Sequence, residues 1–273
     1  MTGTMDSGDV LAIVVTHSSP ATLRACVDAL TGQTRRPDRI LVVDNHGTPP
    51  AADTLAPPPH TDAVEAVEVV RRPVNDGPAG GFEFGLREFL ARGARWAWLL
   101  DDDVVPERDC LERLLGGTDA PVRWPRIRQA TGEPHDFPGW CGVLLAREVV
   151  DAVGLPRGDF VWWAEDTEYL QRRITKAGYR AATVDDARVV HRNARNEPAM
   201  PPWKVYYQVR NTIFYRVHVQ GLNHPVRLVR SLVRSLGAAL LPPGPRRTRL
   251  ARFLQGVADG VRGRLGLRVE LPA

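Results

Sequence analysis

The chain has 273 residues, 43% of them hydrophobic and 25% charged, proportions of a globular protein with room for one large α/β domain or two small ones. No apolar run approaches the roughly 20 residues of a membrane-spanning helix, and Met1–Asp9 holds two acids and no base, unlike the basic start of a signal peptide. The net charge of +4 hides an asymmetry: from Lys204 on, 13 Lys/Arg face 2 acids (+11), before it 23 face 30 (−7), so an acidic body carries a basic tail suited to an anionic partner.

Val10–Val15 is a short, β-branched apolar run and reads as a buried parallel strand. The loop Thr16–Pro20 follows, with a serine to cap the next helix and Pro20 in its first turn. Leu23, Cys26, Val27 and Leu30 then repeat at helical spacing. Arg39–Val43 is a second strand ending at Asp44-Asn45, Gly47–Pro59 a Pro- and Ala-rich loop, and Val64–Val70 a third strand. Asn75–Gly81 is a glycine-rich turn before a helix over Phe82–Leu90, and Trp96–Leu100 is a fourth strand that stops at Asp101-Asp102-Asp103. Alternating strands and helices predict a mostly parallel sheet, with ligands bound beyond the carboxyl ends of its strands. Thr16-His17, Asp44-Asn45 and Asp101–Asp103 all fall there.

The second half is less regular. Helices are expected over Glu107–Leu115, Arg147–Val153, Glu165–Lys176 and Met200–Gln220, with strands near Val143–Leu145, Tyr179–Val184 and Arg188–His191. His224–Leu241 is a basic amphipathic helix: Val226, Val229, Val233, Leu236 and Leu240 share one face, and Arg227, Arg230 and Arg234 another. Pro242–Pro245 breaks it, and a second basic segment, Arg246–Arg268, follows. Cys26, Cys110 and Cys141 lie far apart without metal-type spacing, which suits a reducing cytosol.

Three adjacent carboxylates at a strand end repel one another, so folding alone does not select them. They read as an acidic surface turn or as a site for a divalent cation, which favours carboxylate oxygens and can bridge them to phosphates. Glu165, Asp166 and Glu168 suit a helix N-terminus electrostatically; beside Trp162-Trp163 one of them can also serve as a general base. His191, at another strand end, is a structural histidine or the imidazole of a carboxylate–imidazole metal site. Asn75–Gly81 can offer backbone N–H groups to a phosphate, but it matches neither the dinucleotide fingerprint nor the P-loop. Tyr206–Asn211 is a core helix end, or it brings Arg210 near a diphosphate.

Taken in order, Val14-Val-Thr16, Val42-Val-Asp-Asn45, Asn75-x-Gly-x-Ala-Gly-Gly-Phe82, Asp101–Asp103, Glu165-Asp166-x-Glu168, His191 and Tyr207-x-x-Arg-Asn211 resemble the family 2 glycosyltransferases of GT-A fold, specifically the bacterial rhamnosyl- and galactofuranosyltransferase-like branch. The resemblance covers about residues 10–216. It implies a Rossmann-like, mostly parallel α/β sheet flanked by helices. Residues 1–220 would form the catalytic domain, with a nucleotide-sugar half over about 10–105 and an acceptor half over about 106–220. Residues 221–273 would be a basic helical extension.

The activity implied is inverting, metal-dependent transfer from a UDP- or dTDP-sugar to an acceptor hydroxyl of a glycan, a lipid-linked glycan or a secondary metabolite. Thr16, Asp44, Asn75, Gly80, Gly81, Asp101 and Asp102 would line the donor pocket. Asp103, Asp101 and His191 would hold Mn²⁺ or Mg²⁺, Arg210 the diphosphate, and Trp140, Trp162, Trp163, Glu165 and Glu168 the acceptor. Asp166 would be the general base. The chain would be cytoplasmic, with its basic extension docked on the body or on the anionic inner membrane face; nucleic acid is disfavoured, because the tail carries few aromatics. Two other readings remain open. A sugar-phosphate nucleotidyltransferase would need a basic, glycine-rich first loop, which Thr16–Ala21 is not. A non-catalytic sugar- or membrane-binding protein would not need Asp166 as well as the triple aspartate.

Overall fold

The computed structural model describes residues 8–56, 67–131, 139–192 and 199–272. The apolar runs form the expected parallel core. β1 (Val10–Thr16) lies between β2 (Arg39–Asp44) and β4 (Trp96–Asp101), and β3 (Val67–Arg71) adds to β2, all in parallel. Residues 64–66 of the expected third strand lie outside the described residues. All seven side chains of β1 are buried, which explains a continuous apolar run rather than an alternating one. The helices α1 (Pro20–Thr31), α2 (Ala51–Leu55) and α3 (Gly77–Arg92) belong to this half. Ser19 takes the position before α1, yet its hydroxyl donates to His17 O instead of capping the helix.

Two sequence expectations change here. A short helix, α2, interrupts the expected loop over Gly47–Pro59, whose last three residues lie outside the described residues. The glycines of Asn75–Gly81 are not a free turn, because α3 begins at Gly77 and includes Gly80 and Gly81 in its first turns.

Beyond β4 come β5 (Val104–Pro106), α4 (Cys110–Gly116), β6 (Val122–Gln129), β7 (Val143–Ala146), α5 (Arg147–Val153) and β8 (Ala181–His191). The completed eight-stranded sheet runs β3-β2-β1-β4-β7-β6-β8-β5. β7 is antiparallel to β4 and β6, and β5 antiparallel to β8. The sequence reading missed β6, where Arg123, Arg126 and Arg128 and a central Pro125 obscure the pattern. Pro125 sits where the β6–β8 register shifts, a position that tolerates a residue without an N–H. The same irregularity joins the two short strands expected over Tyr179–His191 into one. Before β8, a wide π-type turn over Thr167–Arg173 runs into α6 (Ile174–Lys176).

The C-terminal part is α7 (Pro202–Phe214), α8 (Pro225–Leu240) and α9 (Arg246–Val261). α9 lies so close to α7 that a Cβ on Gly260 would stand 2.7 Å from Arg210 O. The buried Arg249 guanidinium donates to the carbonyls of Ala239, Pro242 and Pro243 and so closes the end of α8. The apolar pattern of α8 divides differently from the sequence reading. Leu228, Leu232, Leu236 and Ala239 pack inward on Val205, Val209, Ile213 and Phe253, while Val226, Val229 and Val233 point out. No helix among the described residues is long and apolar enough to cross a membrane.

Candidate functional site

The carboxyl ends of β2, β1 and β4 lie side by side, because Thr16 pairs with Asp44 and Val15 with Asp101 in the two ladders. Thr16 Oγ1 donates to Asp102 Oδ2 at 2.6 Å. This gives Asp102 a partner that its own sequence neighbourhood did not suggest. Burial lifts the Asp102 carboxyl to about 7, against the opposing bond from Thr16. Asp44 is buried, and its two oxygens accept from Gly47 N (2.6 Å), Ala51 N (3.0 Å) and Arg71 Nη1 (2.8 Å). It therefore shapes the loop after β2.

β5 turns back along β8 so that Val104 faces His191. This places His191 Nε2 3.2 Å from Asp103 Oδ1. The oxygen is buried and makes no well-formed hydrogen bond. Two ligands at right angles on one octahedral cation stand about 3 Å apart, so a carboxylate–imidazole pair at this spacing fits a shared divalent ion. Among the described residues no group of three such side chains stands ready as a complete metal cage.

The start of α3 meets the 158–164 loop. Gly77 has φ +75°, and a Cβ there would fall 2.0 Å from Val161 O. Only glycine lets the helix start touch the 158–164 loop this closely. Gly81 allows a second close approach, since its Cβ would meet Val15 Cγ1 at 2.5 Å. Gly80 leaves room for the Asp76 carboxylate. These glycines pack the start of α3 closely against its neighbours. Asn75 accepts from Gly77 N, and its amide stands 3.3 Å from His17 Nε2 and 3.2 Å from Pro272 O. His17 and Asn45, named from the sequence only as polar strand-end residues, complete this network; His17 Nδ1 lies 2.9 Å from Asn45 O, and Asn45 Nδ2 donates to Gly77 O at 2.6 Å.

The loop before Glu165 is strained. Val161, Trp163 and Ala164, none of them glycine, have φ of +66°, +81° and +71°, a region costly for side chains with a Cβ. Its carbonyls explain how it is held. Asn211 Nδ2 lies 2.8, 2.7 and 2.9 Å from the oxygens of Phe160, Trp162 and Trp163. Arg210 is wholly buried and donates to Asn211 Oδ1, Gly266 O, Asp159 O and Phe160 O. The guanidinium expected at a diphosphate is thus committed to backbone and side-chain oxygens. The Tyr-x-x-Arg-Asn signal was visible in the sequence; its use as a clamp on a loop some 50 residues earlier was not.

That clamp presents Glu165 and Asp166 to the aspartates. Burial, then the charges of Asp103, Asp102, Glu165 and Asp166, push Asp101 well above the carboxylate range. Burial and the neighbouring Asp166 charge lift Glu165 to about 8. Burial raises Asp166 too, against the hydrogen bonds its Oδ1 accepts from Thr167 N (2.6 Å) and Oγ1 (3.2 Å). Glu168 is buried, 3.6 Å from Arg172 and 3.9 Å from Arg173. These two arginines tie it to its own helix.

The three expected tryptophans divide. Trp140 is buried and stacks on Phe82 at 4.5 Å between centroids, so it belongs to the floor. Trp162 and the exposed Trp163 are 5.5 Å apart. Trp203, which the sequence did not mark, stands edge-on to Trp162 at 5.4 Å and extends this rim. The C-terminal residues return to the same place: Tyr207 Oη donates to Val269 O at 2.6 Å, and Leu271, like Trp162 and Trp203, packs against the cluster of Val161, Tyr206, Tyr207 and Val269.

Comparison with known proteins gives a consistent picture. Residues 11–134 match the model of glycosyl transferase family 2. Galactofuranosyltransferase GlfT1 of Mycobacterium tuberculosis H37Rv is 30% identical over 218 residues, covering 67% of this chain and 69% of the relative. GlfT1 of Mycolicibacterium smegmatis is also 30% identical, over 67% of this chain and 70% of that one. The mannosyltransferase PcManGT of Pyrobaculum calidifontis, solved with GDP-Man and Mn²⁺, superposes with a TM-score of 0.58 at 17% identity, over 94% of this chain and 87% of that chain. GalNAc-T7, solved with UDP, GalNAc and Mn²⁺, gives a TM-score of 0.55 at 14% identity, over 84% of this chain and 55% of its own. These two share the GT-A fold with the chain.

Proposed function

The chain belongs to glycosyltransferase family 2, in its galactofuranosyltransferase-like branch, and from that premise we propose that it moves a sugar from a UDP- or dTDP-linked donor to an acceptor hydroxyl with inversion at the anomeric carbon. The observation that carries this reading is the meeting of two acid segments in one buried site: Asp101 feels Asp102, Asp103, Glu165 and Asp166 together.

Thr16, Asn75, Asp101 and Asp102 face the donor, with Asp44, Gly80 and Gly81 shaping the walls around them. Asp166 is the base. Its Oδ1 is occupied by Thr167, while Oδ2 stands toward Gly139, whose Cβ, if present, would lie 3.1 Å away. Burial makes this carboxylate more basic than an exposed one. It takes the proton of the acceptor hydroxyl; that oxygen bonds to the anomeric carbon as the bond to the diphosphate breaks, and the electron pair leaves with the diphosphate. Glu165, lifted to about 8, keeps its proton at neutral pH and leaves Asp166 as the anionic partner. Trp162, Trp163 and Trp203 form an apolar rim on which a sugar ring of the acceptor can stack.

Asp103 and His191, with Asp101 beside them, would hold Mn²⁺ or Mg²⁺. Bound there, the ion would supply positive charge to the leaving diphosphate. The name of the GlfT1 relatives makes a galactofuranose donor the first to screen. The nucleotidyltransferase and non-catalytic readings are not favoured by the family assignment.

Asp166→Asn tests the assignment. Turnover is expected to fall roughly 10²–10⁴-fold, the usual contribution of a general base, with donor affinity unchanged by calorimetry. Loss of donor binding with turnover kept at saturating donor would reject it.

A further inference from the structure

α8 has two apolar faces, and only one is covered. Leu228, Leu232, Leu236 and Ala239 pack on α7 and α9. Val226, Val229 and Val233 form a second line at 69, 59 and 64% exposure, continued by Leu240 at 36% and by Leu241, just past the helix, at 79%. At about 100° per residue, Arg227, Arg230 and Arg234 form a parallel row roughly a quarter-turn from that line. All three are exposed, and no acidic side chain pairs with them among the described residues. From Lys204 on, the only acids are Asp259 and Glu270, and Asp259 is buried against the Tyr206 hydroxyl at 2.9 Å.

The pairing of the two rows selects the occupant. A second copy docking through this face would bring like-charged arginine rows together without an acid to relieve them. Nucleic acid would use the arginines, but the apolar row offers no aromatic ring for a base to stack on. A bilayer interface satisfies both rows at once, with lipid phosphates level with the arginines and acyl chains just below them for the valines. We propose that this face of α8 docks the protein on an anionic lipid bilayer. The inference does not depend on the transfer reaction. It does bear on it, because α7, on which α8 rests, also carries the Arg210–Asn211 clamp of the Asp166 loop.

The test is sedimentation of the full chain with phosphatidylglycerol–phosphatidylcholine vesicles and with phosphatidylcholine alone. Binding is expected only to the anionic vesicles and weakens as salt is raised. The triple variant Arg227→Gln/Arg230→Gln/Arg234→Gln lowers partitioning roughly 100-fold. Val229→Ser/Val233→Ser lowers it roughly tenfold. Both variants keep the parent's thermal unfolding, since these side chains are outside the packed faces. The proposal is overturned by equal binding to both vesicle types, by no binding, by anionic binding that neither variant weakens, or by a concentration-dependent dimer that Val229→Ser/Val233→Ser abolishes.

Discussion

Two acid-bearing segments meet in the site, and different forces hold them. Asp101 ends β4, inside a ladder whose neighbours are fixed by continuous apolar strands, and Asp102 and Asp103 form the turn that follows at once. Glu165-Asp166 follow three non-glycine residues at positive φ, and their position depends on groups far away in the chain: Gly77, Arg210, Asn211 and the C-terminal Gly266. The first segment is placed by secondary structure, the second by long-range hydrogen bonds that outweigh local backbone preference. The proposed role of Asp166 as a base, within hydrogen-bond reach of an acceptor proton, would account for strain retained in the second segment and absent from the first.

The largest effect expected, after the rate loss of Asp166→Asn, comes from forcing both segments to ionise. Glu165 is lifted by burial and the Asp166 charge from 4.5 to about 8. A carboxyl whose folded pKa lies above its unfolded value contributes stability that is complete below the unfolded pKa and lost as pH rises through the folded one. In EDTA the melting temperature should therefore fall as pH rises from the ordinary carboxylate range to about 8, by on the order of 10 °C. Added Mn²⁺ should recover part of the loss at the upper end, by binding the folded state alone. Scanning fluorimetry decides: a flat profile in EDTA would mean that the two segments do not share one buried site.

A smaller effect isolates their junction. Gly77→Ala adds a Cβ that collides with Val161 O and forces alanine to φ +75°. The expected cost is about 3 kcal/mol, read by urea unfolding. An alanine variant as stable as the parent would show that the 158–164 loop does not rest on α3.

This contrast also explains what could be read from the sequence. β1, β2 and β4 were legible because each is a short apolar run with a polar end, and a parallel sheet gathers such ends along one edge; which ends are neighbours came from the strand order. The triple aspartate was legible for the same reason, although Asp102 had no visible partner until the register set Thr16 beside it. β6 was not, since arginines and a proline mask its period. Arg210 was misread because a cation in a motif near aromatics looks the same whether it meets a phosphate or a row of backbone carbonyls. Leu236 of α8 was grouped with the outward valines because the inner and outer apolar rows adjoin, and only packing on α7 separates them.

The smallest effect sharpens the comparison most. Asn211→Ala removes an amide that reaches three carbonyls of the strained loop, and these are left to compete for the remaining donors of Arg210. Buried groups that lose one shared donor cost about 1–3 kcal/mol, or a melting temperature lower by roughly 5 °C. The informative readout is kinetic. If the clamp positions Asp166, kcat should fall roughly tenfold or more, because a displacement of about 1 Å at a reacting group is enough for that, while donor affinity, set on the β1 and β4 side, stays within about twofold. Thr16→Val should give the reverse pattern, since its hydroxyl serves Asp102 on the strand-held segment: weaker donor binding with kcat nearly kept. Were both variants to lower donor affinity and kcat in equal proportion, the two segments would be one mechanical unit, and the distinction between a strand-held and a clamp-held acid would fail.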